Sequence, residues 1–185
     1  MNTMRIAIAG AHGIGKSFLA NQLVEQCGYP LLTGVAGKVA NVMGVKTIKD
    51  MEDESIETKM AYQSLVYWEM KELELEHQSF VADRSLYDVI AYMVWYGIPA
   101  HVGMFYHELA ESQPYDLIIH CPIPDGFAPP EVRNGYKGNS RHELFNGILE
   151  VLLRRSQRDK QILWLPKERD QWLSISMNAI KDMLN

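Results

Sequence analysis

Apolar and polar positions alternate along this chain between two rhythms, short unbroken apolar runs and longer stretches with a three-to-four-residue period. Met4–Ala9 is such a run, ending at Gly10, and it predicts a buried strand. Ser17–Gln26 follows with Phe18, Leu19, Leu23 and Val24 at helical spacing, closed by Gly28 and Pro30. Leu31–Leu32 predicts a second short strand, and Val35–Met43 a weak helix stopping at Gly44. Glu52–His77 predicts one long helix, in which Ile56, Met60, Gln63, Tyr67, Met70 and Leu73 share a face. Its eight carboxylates between Glu52 and Glu76 predict a solvated outer surface. Ser79–Asp83 predicts a third strand, then Leu86, Val89, Ile90, Met93 and Val94 mark a buried helix ending at Gly97. Helix is expected again over Val102–Glu111, strand over Tyr115–His120, helix over Arg141–Arg155, strand over Ile162–Leu165 and helix over Trp172–Leu184.

Strand and helix thus alternate from end to end. The pattern predicts one α/β domain over residues 1–185, a three-layer sandwich with a mainly parallel five-stranded sheet. In such sheets ligands bind beyond the carboxyl ends of the strands, so the positions after Ala9, Leu32, Ala82 and Ile119 carry the functional interest. The Pro- and Gly-rich stretch Pro122–Gly138 has no hydrophobic period, and a loop of that length in a compact domain reads as a lid, spanning about residues 122–141.

Composition narrows the reading. The 185 residues are 47% hydrophobic and 22% charged, which suits a globular protein, and the net charge of -5 argues against a general nucleic-acid binder. Cys27 and Cys121 show no metal-ligand or disulfide spacing, so two reduced thiols and a cytoplasmic location are expected. The short apolar run at the N-terminus is too short for a membrane span, and no membrane partner is expected.

The strongest motif is GAHGIGKS, Gly10 to Ser17, which fits G-x-x-x-x-G-K-[ST] at every fixed position and lies between a strand and a helix. Gly10, Gly13 and Gly15 allow the main chain of Gly10, Ala11, His12, Gly13, Ile14 and Gly15 to fold around phosphate oxygens, with the helix start through Lys16, Ser17 and Phe18 adding its partial positive charge. ATP and Mg2+ are the expected cofactors: Lys16 would bridge the β and γ phosphates and Ser17 would hold the metal. The loop needs a carboxylate at the end of a hydrophobic strand, and Asp83 in FVADRS is in that place. It would serve as a metal ligand or as the base for an acceptor hydroxyl; the alternative is that it caps the following helix, a role Ser85 could equally take. Arg84 beside it suits a phosphate or a developing negative charge. Arg133 and Arg141 flank the Gly135–Ser140 bend and would close over the triphosphate. Lys38, Tyr62, Gln63 and Tyr67 are the candidates for holding an acceptor, together with Arg84.

With these residues in hand, the chain resembles the P-loop nucleoside and nucleotide kinases over nearly its whole length. It is most similar to the ribosyl-nicotinamide-kinase-like ATPases of phage and bacterial genomes, through GAHGIGKS, Gly37-Lys38 and the YDLIIHCPIPDG stretch leading to Arg133 and Arg141. The segment VADRSLYD looks like the acid-Arg-Ser signature of deoxynucleoside kinases and the Asp-Arg motif of thymidylate kinases. The resemblance implies transfer of the γ-phosphoryl group of ATP to a small nucleoside or nucleoside monophosphate, with Asp83 as base or metal-shell acid and Arg84 on the acceptor. The alternatives are a polynucleotide or modified-base nucleic-acid kinase, or a regulatory NTPase without kinase activity. A homodimer is compatible with the sequence.

Overall fold

The computed structural model describes residues 3–45, 48–112, 115–127, 140–156 and 161–184. In chain order the elements are β1 (Arg5–Ala9), α1 (Lys16–Cys27), β2 (Leu31–Leu32), α2 (Val35–Val42), α3 (Ile48–Asp53), α4 (Ile56–Leu75), β3 (Phe80–Ala82), α5 (Leu86–Trp95), α6 (Ala100–Glu111), β4 (Leu117–His120), α7 (Ser140–Arg155), β5 (Ile162–Trp164) and α8 (Trp172–Leu184). A short 3-10 turn, Arg169–Gln171, leads into α8.

The five strands form one all-parallel sheet in the order β2-β3-β1-β4-β5. Helices α1 and α8 pack against each other, while α4, α5, α6 and α7 form a second packed group, which gives the expected three layers. Covering both faces of the sheet explains why its strands are uniformly apolar rather than alternating: Ile6, Ala7, Ile8, Ala9, Ile118 and Ile119 have no exposed surface. No described helix is long and apolar enough to cross a membrane.

The expected helix over Glu52–His77 is divided. Helix α3 stops at Asp53 and α4 begins at Ile56, because Ser55 adopts an extended conformation and its side chain accepts a hydrogen bond from the Thr58 amide at 3.2 Å. The expected solvated face of α4 also needs correction at one carboxylate, since Glu74 is only 4% exposed. Its spacing from Gln63, Tyr67 and Met70 places it on the buried stripe of the helix.

Two expected positions on the sheet agree with the strand directions. Asp83 and Gly10 follow the carboxyl ends of β3 and β1, whereas Asp116 sits at the amino end of β4, where its carboxylate accepts from the Arg5 amide at 2.7 Å. Most of the expected lid, including Arg133, lies outside the described residues.

Candidate functional site

Strand β1 leads directly into the glycine-rich loop. Gly10 has φ 150, and a Cβ there would lie 2.6 Å from the Cys121 carbonyl oxygen, so close passage beside β4 excludes any side chain. Gly15 precedes α1 with φ 114, and its carbonyl accepts from the Phe18 and Leu19 amides, both at 3.1 Å, which starts the helix. Lys16 is buried, and its ammonium donates to the carbonyls of Gly10 and Ala11, both at 2.6 Å. The side chain therefore folds back over the loop, holding a positive charge at its mouth. Burial lowers the Lys16 pKa, with Asp88 acting in the opposite direction.

Asp83 directly follows β3 and is fixed by its amide, which donates to the Leu32 carbonyl at 2.9 Å. Its carboxylate accepts from the Ser17 hydroxyl at 2.6 Å. The alternative role as a helix cap is taken by Ser85, whose hydroxyl oxygen accepts from the Asp88 amide while Asp88 accepts in return from the Ser85 amide and hydroxyl. Asp83 is thereby left facing the loop.

Asp88 has a second task. Its other carboxylate oxygen accepts from the Gly10 amide at 3.1 Å, joining α5 to the start of the loop. Burial pushes its carboxyl up, while Lys16, Ser85 and the Gly10 amide pull the other way. Between Asp83 and Ser85, Arg84 has a φ of 136, unusual for a residue with a side chain. Its half-buried guanidinium lies 5.6 Å from the Tyr92 ring centroid. Such a backbone conformation costs on the order of 1–3 kcal/mol and persists where the surroundings hold it.

A cavity of about 540 Å³ opens in front of these groups. It is within the size range of small-molecule sites, about 300–1,000 Å³. His12, Gly13, Gly15, Lys16, Ser17, Phe18, Asp83 and Arg84 contribute to its walls, so the expected phosphate-binding and acidic residues converge on one space. Ala11 and Ile14 lie behind the loop, fully buried. The His12 ring lies against His142, with centroids 4.3 Å apart. Burial, reinforced by His142, Lys16 and Arg84, lowers the His12 pKa to about 3, so the ring is neutral near pH 7.

The expected acceptor-binding residues are placed differently. Apart from Arg84, none lines the cavity. Lys38 is exposed and paired with Glu69 at 2.6 Å. Tyr62 donates its hydroxyl to the Ala36 carbonyl at 3.0 Å. Gln63 and Tyr67 are buried in the packing of α4, where Tyr67 meets Tyr106 edge-on at 4.7 Å. Arg141 is half-exposed and makes two bonds to the Glu52 carboxylate, at 3.0 and 3.2 Å.

Three polar residues at or beside the cavity escaped the sequence reading. Asp88 was signalled only as the last residue of the Ser85-x-x-Asp88 capping pattern. Glu74 was signalled by its place on the apolar stripe of α4. Arg169 had no local signal: its guanidinium donates to the Ile14 carbonyl, and a Cβ on Gly15 would meet it at 2.7–2.9 Å.

Comparison with known proteins places this geometry in context. A family described as AAA domain matches residues 5–165. NadR protein, solved in complex with NAD and AMP-PNP, superposes with a TM-score of 0.71 at 12% identity, covering 98% of this chain and 49% of NadR. The chain therefore spans about half the length of that protein. Deoxyadenosine kinase from M. mycoides, solved with bound dCTP, superposes with a TM-score of 0.66 at 14% identity, covering 97% of this chain and 100% of the kinase. At these identities the likeness is one of fold, that of the P-loop nucleoside kinases. No curated protein sequence matches the chain significantly.

Proposed function

The chain belongs to the AAA-domain family, and on that footing we propose that it is an ATP-dependent phosphotransferase whose acceptor is a small nucleoside or nucleoside monophosphate. The observation that carries this reading is the convergence of Lys16, Ser17, Asp83 and Arg84 on one cavity at the carboxyl ends of β1 and β3. Structures of the same fold include one with AMP-PNP bound and a deoxynucleoside kinase, which supports the choice of nucleotide and of acceptor class.

The loop and the start of α1 supply amides and a partial positive charge for the phosphates of ATP. Lys16 already points its ammonium across the loop, where it would neutralise charge on the β and γ phosphates. Ser17 and Asp83 form a pair of hard oxygen donors, 2.6 Å apart, that fits Mg2+. When bound, the ion would neutralise phosphate charge and orient the chain of oxygens. Asp83 has two compatible roles, ligand in the metal shell or base. As a base it takes the proton of the acceptor hydroxyl while that oxygen bonds to the γ phosphorus; the bond from the γ phosphorus to the bridging oxygen breaks, and ADP leaves. Arg84 lies beside this path, placed to hold the acceptor or stabilise charge on the transferred group. Arg133 and Arg141 extend the proposal to a lid. Arg141 would have to exchange Glu52 for phosphate, a small cost for an exposed pair.

A coupled assay of ADP release, run with ATP, Mg2+ and a panel of nucleosides and monophosphates, tests the proposal. Acceptor-dependent release is expected with at least one member. Release that is the same with and without every acceptor would remove the kinase reading.

A further inference from the structure

The cavity extends beyond the phosphate loop. Leu32 and Ala82 close the ends of β2 and β3 along its wall, and Met70, Leu73 and Glu74 line it from the last turns of α4. Among these apolar neighbours Glu74 is a carboxyl group with 4% of its surface exposed. One of its oxygens accepts from the Tyr115 hydroxyl at 2.6 Å, and Tyr115 is itself held by accepting from the Leu86 amide at 3.2 Å. The other oxygen receives no hydrogen bond among the described residues. That oxygen is not among the buried side-chain atoms left without a partner, so it is open to the cavity.

Burial raises the Glu74 pKa to about 7, with the Tyr115 hydroxyl, Arg5 and Lys71 pulling it down. Neither cation forms an ion pair with it among the described residues, so the open oxygen is left for a donor that enters through the cavity.

The position of Glu74 relative to Asp83 limits what that partner is. Asp83 follows the carboxyl end of β3, whereas α4, which Glu74 all but closes, leads into the amino end of the same strand. The two carboxyls therefore line one cavity from different elements. If an acceptor presents its hydroxyl to Asp83 and Lys16, the part that reaches Glu74 is its far end. The walls there suit a flat, largely apolar ring.

We infer that Glu74 is a specificity-determining residue: its uncommitted oxygen accepts a hydrogen bond from an exocyclic amino group of a nucleobase, so the cavity selects amino-bearing nucleosides over counterparts lacking that donor. The inference builds on the nucleoside-acceptor reading, but it is a statement about binding and is separable from catalysis.

Titration calorimetry of the whole chain with two ligand pairs tests it: adenosine against purine riboside, which lacks the amino group, and cytidine against uridine, which presents a carbonyl in its place. The amino-bearing member of each pair is expected to bind severalfold to about tenfold tighter, the range for one hydrogen bond. In Glu74→Gln the preference should shrink severalfold, with affinity for purine riboside and uridine unchanged; a merely structural role would weaken all four together. Equal binding within both pairs, no binding of any of the four, or full discrimination retained by a folded Glu74→Gln would overturn the inference. If the variant does not fold, the wild-type pairs decide alone. Discrimination without phosphoryl transfer would uphold Glu74 and remove the kinase reading; transfer without discrimination would do the reverse.

Discussion

At the phosphate end of the cavity, Lys16, Ser17, Asp83 and Asp88 direct their polar groups to one another or to the main chain within a few ångströms. Along α4, the wall is Leu32, Met70 and Leu73, with Glu74 tied at one oxygen and open at the other. The first region is already held in place, which under the proposed function suits a ligand shared by many proteins, a polyphosphate tail. The second leaves its hydrogen bonding incomplete, which is where discrimination between acceptors is best placed. A fold can keep the first region fixed and change the second one residue at a time.

The largest effect that would expose this contrast is expected from Lys16→Ala. Turnover should fall about 10³-fold, the upper range for removing one group that stabilises transition-state charge, while circular dichroism stays native. Retained turnover would show that the phosphate end is not where the chemistry is driven. Asp83→Asn comes next. Calorimetry should still detect ATP binding, but transfer should drop by about 10²-fold. Near-normal turnover would move the acid elsewhere.

A smaller effect, on stability, is expected from Asp88→Ala. It removes the acceptor for the Gly10 amide and the reciprocal half of the capping box while Ser85 stays as the cap, so urea unfolding should show a loss of about 2 kcal/mol. A loss under 0.5 kcal/mol would mean that the loop holds its shape without α5.

The acceptor end is sharpened by pH. The folded-state pKa of Glu74 is raised from 4.5 to about 7, so the folded chain binds the proton more tightly than the unfolded chain. Its contribution to stability is present below pH 4.5 and is lost as pH rises towards 7. His120 acts oppositely: buried, and lowered from 6.5 to about 4, it favours the fold above pH 6.5 and loses that contribution as pH falls towards 4. The two slopes oppose each other between pH 4.5 and 6.5. Glu74→Gln removes one of them, so its unfolding free energy relative to wild type, read from urea melts, should climb across that window by on the order of 1 kcal/mol per pH unit. A difference that does not change with pH would place Glu74 in an ordinary aqueous environment. The smallest effect is expected from Lys38→Ala, since its pair with Glu69 is exposed and it does not line the cavity; stability and acceptor KM should both be unchanged.

How far the sequence disclosed each region follows the same division. The glycine-rich loop is local: eight consecutive residues dictate its backbone, and the strand before it and helix after it are set by short-range pattern. Asp83 was legible because a strand end fixes where the next residue stands. Asp88 carried a local signal only through its spacing from Ser85, and none as a partner of Gly10, because 78 residues separate those two in the chain. Lys38 was read as an acceptor contact from its place after β2, and Tyr67 from type and helical spacing; neither property says which side of α2 or α4 meets the cavity. Glu74 was hidden by its acidic neighbours, although the stripe through Gln63, Tyr67 and Met70 runs to it.

The bond from Arg169 to the Ile14 carbonyl joins positions 155 residues apart. A chain growing from its amino end produces the glycine-rich loop well before β5, yet that loop stays without its arginine brace until the segment after β5 has been made. Nucleotide capture in the braced geometry is therefore a late event of biosynthesis, and a nascent chain that has emerged only through β4 carries the phosphate motif without the support that the mature molecule gives it.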